Sequence, residues 1–369
     1  MDSAPNLRGR ILQLDGLRGV AIMLVLVFHG TNLAVEAGAP QFMRYLIRPV
    51  SLGWSGVDLF FVLSGFLIGG ILLDARGSKN YFRVFYTRRM LRILPLYFLV
   101  LAIGYGVSRS AKFEALIEPQ MPWATCITLT QNFWIAAHMK TLMGALVGTW
   151  SLAVEEQFYL LIPALIYFTK PQRLAWVVGG GIVAAPLVRL ALYLKYPELT
   201  VEYVLLPCRM DALLLGVAAA YFIRQKGGWE FLRAHRRALW TAIELLTVIC
   251  AVITMRESPE TARTLFSQVV EYDCLNLLYV GLLLACLVDE QFAKVLRVRW
   301  LRGLGSIAYG VYLLHPMILG VIVVLLSARA NRGLIAVVAG LALTIVVAKI
   351  SWEGFEKPLV RASHQLRYE

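Results

Sequence analysis

The sequence is short of charge and has almost no means of building a braced soluble scaffold. Only 16% of its 369 residues are Asp, Glu, Lys or Arg, while 59% are hydrophobic, too unequal a mixture to clothe a soluble domain of this length. The five cysteines, Cys126, Cys208, Cys250, Cys274 and Cys286, form no C-x-x-C pair and fall mostly inside apolar runs. That argues against both a disulfide framework and a zinc site, and no metal is expected. Acidic residues are few as well, 23 against 36 Lys and Arg, for a net charge of +13. A basic surplus can mark a nucleic-acid binder, but here the cations sit in short clusters between apolar segments, where they face lipid headgroups and set topology. Nucleic acid is therefore not an expected partner.

What is there is a succession of apolar windows of about 20 residues, the length that crosses a bilayer. They lie near 17–35, 53–73, 92–108, 151–169, 174–194, 204–223, 238–255, 269–288, 303–327 and 333–352. The profile is that of an all-α polytopic membrane protein. An eleventh window at 121–138 is diluted by Thr, Gln and Asn, and charge asymmetry decides against it. Without that window 22 Lys and Arg fall in cytoplasmic segments and 10 in external ones. The expected arrangement is ten spans with both termini cytoplasmic and residues 109–150 external or re-entrant. No internal repeat, low-complexity tract or fused soluble domain is visible, so residues 1–369 read as one membrane domain. "AGA" at 37–39 formally resembles a signal-peptidase site, but Arg18 interrupts the preceding apolar run, and the first span is expected to be retained.

Several spans keep polar groups that are costly in a bilayer, roughly 2.5–3.5 kcal/mol for Arg or Asp on insertion scales, and such groups usually turn toward protein or a water-filled cavity. In "LDGLRGVAIMLVLVFHGTN" Arg18 and His29 are eleven residues apart. On an ideal helix that is a rise of about 16 Å with a rotation to within about 20° of the same face. Arg18 alone could be an interfacial snorkeller, but the shared face favours function for His29. Asp58 enters the second span from outside, where Gly65 and Gly69 form a G-x-x-x-G packing face. Glu155 and Glu156 enter the fourth, and since neighbours diverge by about 100° only one of them can face a given cavity. Arg209 and Asp211 sit at the outer end of the sixth, where an ion pair with each other or with neighbours is the simplest account. His315 lies in the ninth with Tyr312 a turn earlier, and Pro316 beside it frees a carbonyl that the imidazole could bond. These polar groups are expected at similar depth, lining a cavity open to the outside. At the inner end of the third span Arg88, Arg89 and Arg92 satisfy topology, and are also suited to phosphate.

With these residues in hand the chain resembles the integral-membrane acyltransferase family 3, which includes bacterial acyltransferases of O-antigen, exopolysaccharide, Nod factor and macrolides. The resemblance rests on the R-x10-H pair, "GVDLFFVLSGFLIG", the R-x-x-R of Arg89 to Arg92, "WSLAVEEQFYLLIP", "CRMDALLLG", "LGSIAYGVYLLHP" and "FEKPLVR", in that order. It implies a protein of the bacterial inner membrane that moves an acyl group from cytoplasmic acetyl-CoA, or another acyl-CoA, to a hydroxyl of a carbohydrate acceptor at or beyond the outer leaflet. His29 would be the catalytic histidine, Glu155 the functional carboxylate, with Glu156 at a variable place, and Arg18, Arg89 and Arg92 would help bind the donor.

From geometry and chemistry, Arg88 is expected to join the donor site. Asp58 or Glu155 would orient the imidazole, and Arg209 or a nearby hydroxyl would stabilise the oxyanion, with Asp211, Tyr312 and His315 as further candidates for binding. A direct transfer and an acyl-histidine relay both remain open. The rival classes are a transporter of a sugar or lipid-linked glycan, another membrane acyltransferase class with an intramembrane His, and a noncatalytic scaffold.

Overall fold

The computed structural model describes residues 11–36, 48–118, 120–138, 144–197, 201–256, 266–326 and 333–369. Among them there is no β-strand, and ten helices are long and apolar enough to cross a membrane. They are α1 (Leu12–Glu36), α2 (Gly56–Ala75), α3 (Tyr81–Ser108), α4 (Trp150–Phe168), α5 (Pro171–Lys195), α6 (Leu206–Phe222), α7 (Arg236–Arg256), α8 (Tyr272–Val288), α9 (Ala308–Leu326) and α10 (Gly333–Ser351). Residues 37–39, the formal cleavage site, lie outside the described residues.

Two spans differ from their expected limits for the same reason. α3 begins at Tyr81, because its first turns carry Arg83, Arg88, Arg89 and Arg92 and so do not read as apolar. α10 continues through a π-helical turn, Trp352–Glu356, into the helix Lys357–His364.

α2 lies at the centre, buried along most of its length. It packs on α6 almost backbone to backbone. A Cβ on Gly65 would come within 1.8 Å of the Leu213 carbonyl oxygen, and one on Gly216 within 2.2 Å of the Val62 carbonyl oxygen. The G-x-x-x-G face is thus a helix contact, as the spacing predicts. At one end Arg224 grips Asp74 through two 2.9 Å hydrogen bonds, Nε to Oδ1 and Nη2 to Oδ2, tying α2 to the turn after α6.

α1 is held in the same fashion. A Cβ on Gly16 would lie 1.9 Å from the Leu296 carbonyl oxygen, and one on Gly305 1.8 Å from that of Asp15. The helices Glu290–Leu296 and Arg299–Ser306 therefore clamp the first turns of α1. The first of them is capped by Asp289, whose carboxylate accepts from the amides of Gln291 and Phe292 at 2.9 and 3.1 Å.

Among the described residues of 109–149 there is no helix of spanning length. Short helices Trp123–Ile127 and Gln131–His138 tuck against α3 and α4 instead. Gln131 and Asn132 are enclosed there. Gln131 Nε2 donates to the carbonyl and hydroxyl oxygens of Thr149, each at 3.0 Å, and Asn132 exchanges hydrogen bonds with Gln157. The polar side chains that weaken the 121–138 window are the ones that dock it.

The two glycine contacts predict asymmetric tolerance to one added carbon. Gly65→Ala should lower the thermal midpoint of the detergent-solubilised protein, with an overpacking cost of about 1–3 kcal/mol. Gly179→Ala, whose new Cβ meets nothing within 4 Å, should leave it unchanged. Equal midpoints for the two variants would show that α2 and α6 do not pack this closely.

Candidate active site

The expected polar residues do not form a ring at one depth; they separate into a sealed network and an open ladder. In the network, Arg209 pairs with Asp58, the two being about 1% exposed, and its guanidinium lies over the rings of Tyr272 and Tyr203 at 4.3 and 5.2 Å. Asp211 pairs with Arg189 at 2.9 Å and accepts from Asn276 at 3.0 Å. Arg189 also binds Asp273 and donates to the Cys208 carbonyl oxygen at 2.7 Å. Arg209 and Asp211 thus pair with neighbours, not with each other. This cross-bracing of α2, α5, α6 and α8 consumes Asp58, Arg209 and Asp211. None of the three is hydrogen bonded to His29.

The ladder runs up α1, α4 and α9. At its base Arg18 pairs with Asp15 at 3.2 Å and has Arg89, Tyr159 and Glu155 as electrostatic neighbours. Arg92 faces the same group and makes no hydrogen bond or ion pair among the described residues. Arg89 lies over the rings of Tyr159 and Phe85 at 5.4 and 6.0 Å. Arg88 points elsewhere: it donates to the Leu366 carbonyl oxygen and lies 5.2 Å over the Tyr368 ring. It pins the C-terminal tail, whose Glu369 and Arg367 backbones also bond Asn80.

Glu155 stands at the level of Arg18. Its Oε1 accepts from the Ser64 hydroxyl at 2.5 Å and from that of Tyr159. Both of these partners escaped the sequence reading. Tyr159 follows Glu155 by four residues and so shares its helix face, a detectable signal. Ser64 is simply the hydroxyl inside "VLSGFLIG", and nothing local marks it. Glu156 turns the other way, toward Tyr309, which also neighbours Glu356. Glu356 is brought in by the π-helical turn at Trp352–Glu356, is 5% exposed, and accepts from Ser351 at 3.0 Å.

One step up, Tyr312 donates to the Gly148 carbonyl oxygen at 3.0 Å and meets the Ser151 hydroxyl at 2.5 Å. Above it the rings of His29 and His315 meet with centroids 4.9 Å apart at 63°. His29 is exposed and His315 is 2% exposed. His29 Nδ1 faces the Val25 carbonyl oxygen at 3.0 Å. A carbonyl only accepts, so this nitrogen carries the proton and Nε2 is left as a base. The tautomer is thus set by α1's own backbone, not by Asp58 or Glu155 as expected. His315 Nδ1 faces the Tyr312 carbonyl oxygen at 2.6 Å. Pro316 has no N–H with which to occupy that carbonyl, as its position in the sequence suggested.

Among the described residues no cluster of three His, Cys, Asp or Glu could hold a metal ion. What the ladder offers is a group of three guanidiniums at one end and a basic imidazole at the other.

The sealed network predicts its own signature. Arg209→Met should destabilise the protein by about 3–5 kcal/mol, since Asp58 is left as an uncompensated buried charge. Adding Asp58→Asn should recover much of that loss in thermal unfolding. Additive losses from the two substitutions would show that they do not act as a pair.

Three relatives match along almost the whole chain. Peptidoglycan O-acetyltransferase OatA of Listeria monocytogenes is 26% identical over 95% of this chain and 56% of its own length. The putative peptidoglycan O-acetyltransferase YrhL of Bacillus subtilis is 27% identical over 94% of this chain and 54% of its own. O-acetyltransferase OatA of Staphylococcus aureus is 26% identical over 94% and 56%. The chain therefore spans just over half the length of these curated relatives. No solved structure matches it. Residues 11–352 match the Acyltransferase domain family model, and the chain, a multi-pass membrane protein with ten apolar helices of spanning length, belongs to that family.

Proposed function

We propose that this protein transfers an acetyl group from acetyl-CoA, taken up on the cytoplasmic side of a bacterial inner membrane, to a hydroxyl of an envelope glycan on the other side. The names of its relatives make peptidoglycan the first acceptor to test. The observation that carries the reading is the geometry of α1. Arg18 joins Arg89 and Arg92 at one end, and His29, exposed and with Nε2 unprotonated, stands about 16 Å further along the same face.

On this reading Arg18, Arg89 and Arg92 hold the donor's phosphates. Three cations with, among the described residues, a single carboxylate hydrogen bonded to them, Asp15 to Arg18, suit a polyanion. Glu155 fixes Ser64 and Tyr159 at the level of these arginines through its Oε1. The donor's thioester then comes to His29, whose Nε2 takes the proton of the acceptor hydroxyl as the oxygen attacks the carbonyl carbon. Tyr312 and Ser151 line the approach. The basic end of the bundle is the cytoplasmic side by the distribution of Lys and Arg. The chain's last residues, bonded to Asn80 at the start of α3, are at that end too. The transporter alternative loses its main support, because most of the intramembrane charges that would line a path are paired with one another.

Four outcomes are expected. In a deletion strain complemented at matched expression, the natural protein should restore O-acetyl groups on envelope glycans, read by mass spectrometry. His29→Ala should lower that activity by about 10²–10⁴-fold, the usual contribution of a general base. Equal restoration by both proteins would remove His29 from the chemistry. Arg92→Ala should raise the KM for acetyl-CoA with much less effect on kcat; an unchanged KM would place the donor's phosphates elsewhere. Cys126 is 1% exposed and is a poor reporter of sidedness, whereas Ile127 beside it is 56% exposed. Ile127→Cys should react with an impermeant maleimide from outside; reaction only from the cytoplasmic side would invert residues 109–150.

A further inference from the structure

Among the described residues the proposed general base has no carboxylate partner. There His29 is hydrogen bonded only to its own helix, through Nδ1 and the Val25 carbonyl oxygen. Asp58 is engaged by Arg209, and Glu155 by Ser64 and Tyr159. When His29 takes a proton it becomes a cation at bilayer depth, where an unpartnered charge is costly. Its neighbour supplies what is missing. His315 is 2% exposed, its Nδ1 is tied to the Tyr312 and Val311 carbonyl oxygens at 2.6 and 3.2 Å, and its Nε2 is buried with no hydrogen-bond partner. The ring centroids lie 4.9 Å apart at 63°, close enough that a small rotation of the side chains brings an N–H···N hydrogen bond between the two rings within reach.

Most buried polar atoms are partnered, and His315 Nε2 is one of several buried side-chain atoms of this protein that are not. Here the orphan is made by a local device. Pro316 removes the backbone donor that would occupy the Tyr312 carbonyl, that carbonyl draws the His315 Nδ1 proton, and the remaining lone pair is left on Nε2 beside His29.

We propose that His315 is a positioning residue whose Nε2 accepts a hydrogen bond from the Nε2–H of the His29 imidazolium. The inference rests on the transfer reading above. In the step, the acceptor's O–H bond breaks and its proton forms an N–H bond on His29 Nε2. The hydroxyl oxygen forms the new C–O bond, the C–S bond of the thioester breaks, and its electron pair leaves with sulfur. The proton rests on His29 Nε2, shared in a hydrogen bond with His315, until the thiolate takes it. His315 gains and loses none, so an acceptor atom is all that the position requires.

The test uses inside-out membrane vesicles carrying the full chain, with radiolabelled acetyl-CoA as donor and the vesicles' own glycan as acceptor, scoring alkali-labile label. His315→Leu should reduce kcat about 10- to 100-fold, the loss of one hydrogen bond to a charged group, with KM for acetyl-CoA unchanged. His315→Gln, which retains an acceptor oxygen and a donor for the Tyr312 carbonyl, should recover part of that loss. His29→Ala combined with His315→Leu should be no worse than His29→Ala alone, since residues acting as a unit are not additive. A merely structural role is separated by Pro316→Ala, which returns a backbone N–H to the Tyr312 carbonyl. Added to His315→Leu, it should not restore kcat.

Restoration by Pro316→Ala would reduce His315 to a cap on its own helix and overturn the inference, as would natural kcat in His315→Leu while His29→Ala is inactive. Natural protein that transfers no label above empty vesicles would instead overturn the transfer reading, and the pair with it. Thermal unfolding of each variant separates lost protein from lost turnover.

Discussion

Every polar group at bilayer depth needs a partner, because lipid offers none and each unsatisfied group costs several kcal/mol. That constraint sorts the intramembrane charges of this protein. Arg189 and Arg209, among its most enclosed large side chains, are set against Asp58, Asp211 and Asp273, with tyrosine rings over the guanidiniums. What that network leaves over is informative. Among the described residues Arg89 and Arg92 form no ion pair, and the Nε2 atoms of two touching histidines have no hydrogen-bond donor. Groups of this kind are tolerated where a bound molecule or water completes them, a part that the proposed function gives to the donor at the arginines and to the acceptor at His29.

The ladder is only useful if its rungs stay in register, and the small residues provide that. Gly16 and Gly305 let the first turns of α1 meet the backbone of its clamp, while Gly53 and Gly56 approach the Leu24 and Ala21 carbonyl oxygens midway along. A helix held at two levels by backbone contact has little freedom to slide, and its Arg18 to His29 span is fixed accordingly. Prolines supply the complementary effect. Pro316 takes a donor away at the point where His315 needs a fixed tautomer, converting a defect in the helix ladder into the orientation of a side chain.

Much of the fold was legible in the sequence, because spanning helices are recorded by composition over about 20 residues and need no tertiary information. The limits were blurred where charge enters a helix, as at Arg83 to Arg92 and around the π-helical turn at 352–356. The R-x10-H pair was legible because helical periodicity alone puts both residues on one face. The partner of Asp58 was not, since Arg209 is 151 residues away and the sequence says only that both are buried charges in want of partners. Depth was the other casualty. Glu155 reads as entering from the outer side, yet the stagger of α4 against α1 brings it beside Arg18. A helix's residue count measures distance along its own axis, not its offset from its neighbours.

Separating cations from base along one rigid helix has a chemical consequence for the proposed transfer. A donor must touch the guanidiniums and present its acyl carbon to His29 at once, so its anionic and reactive ends must be about 16 Å apart. A short acyl phosphate could satisfy one end only, whereas a phosphate-bearing group with a long arm satisfies both. Binding energy gained at the arginines is then available to place the reacting carbonyl, which is how remote contacts raise turnover instead of merely tightening binding. The same separation lets the two substrates arrive from opposite faces of the membrane without either crossing it. The donor's anionic end stays at the basic face, and only its uncharged arm needs to enter the bundle.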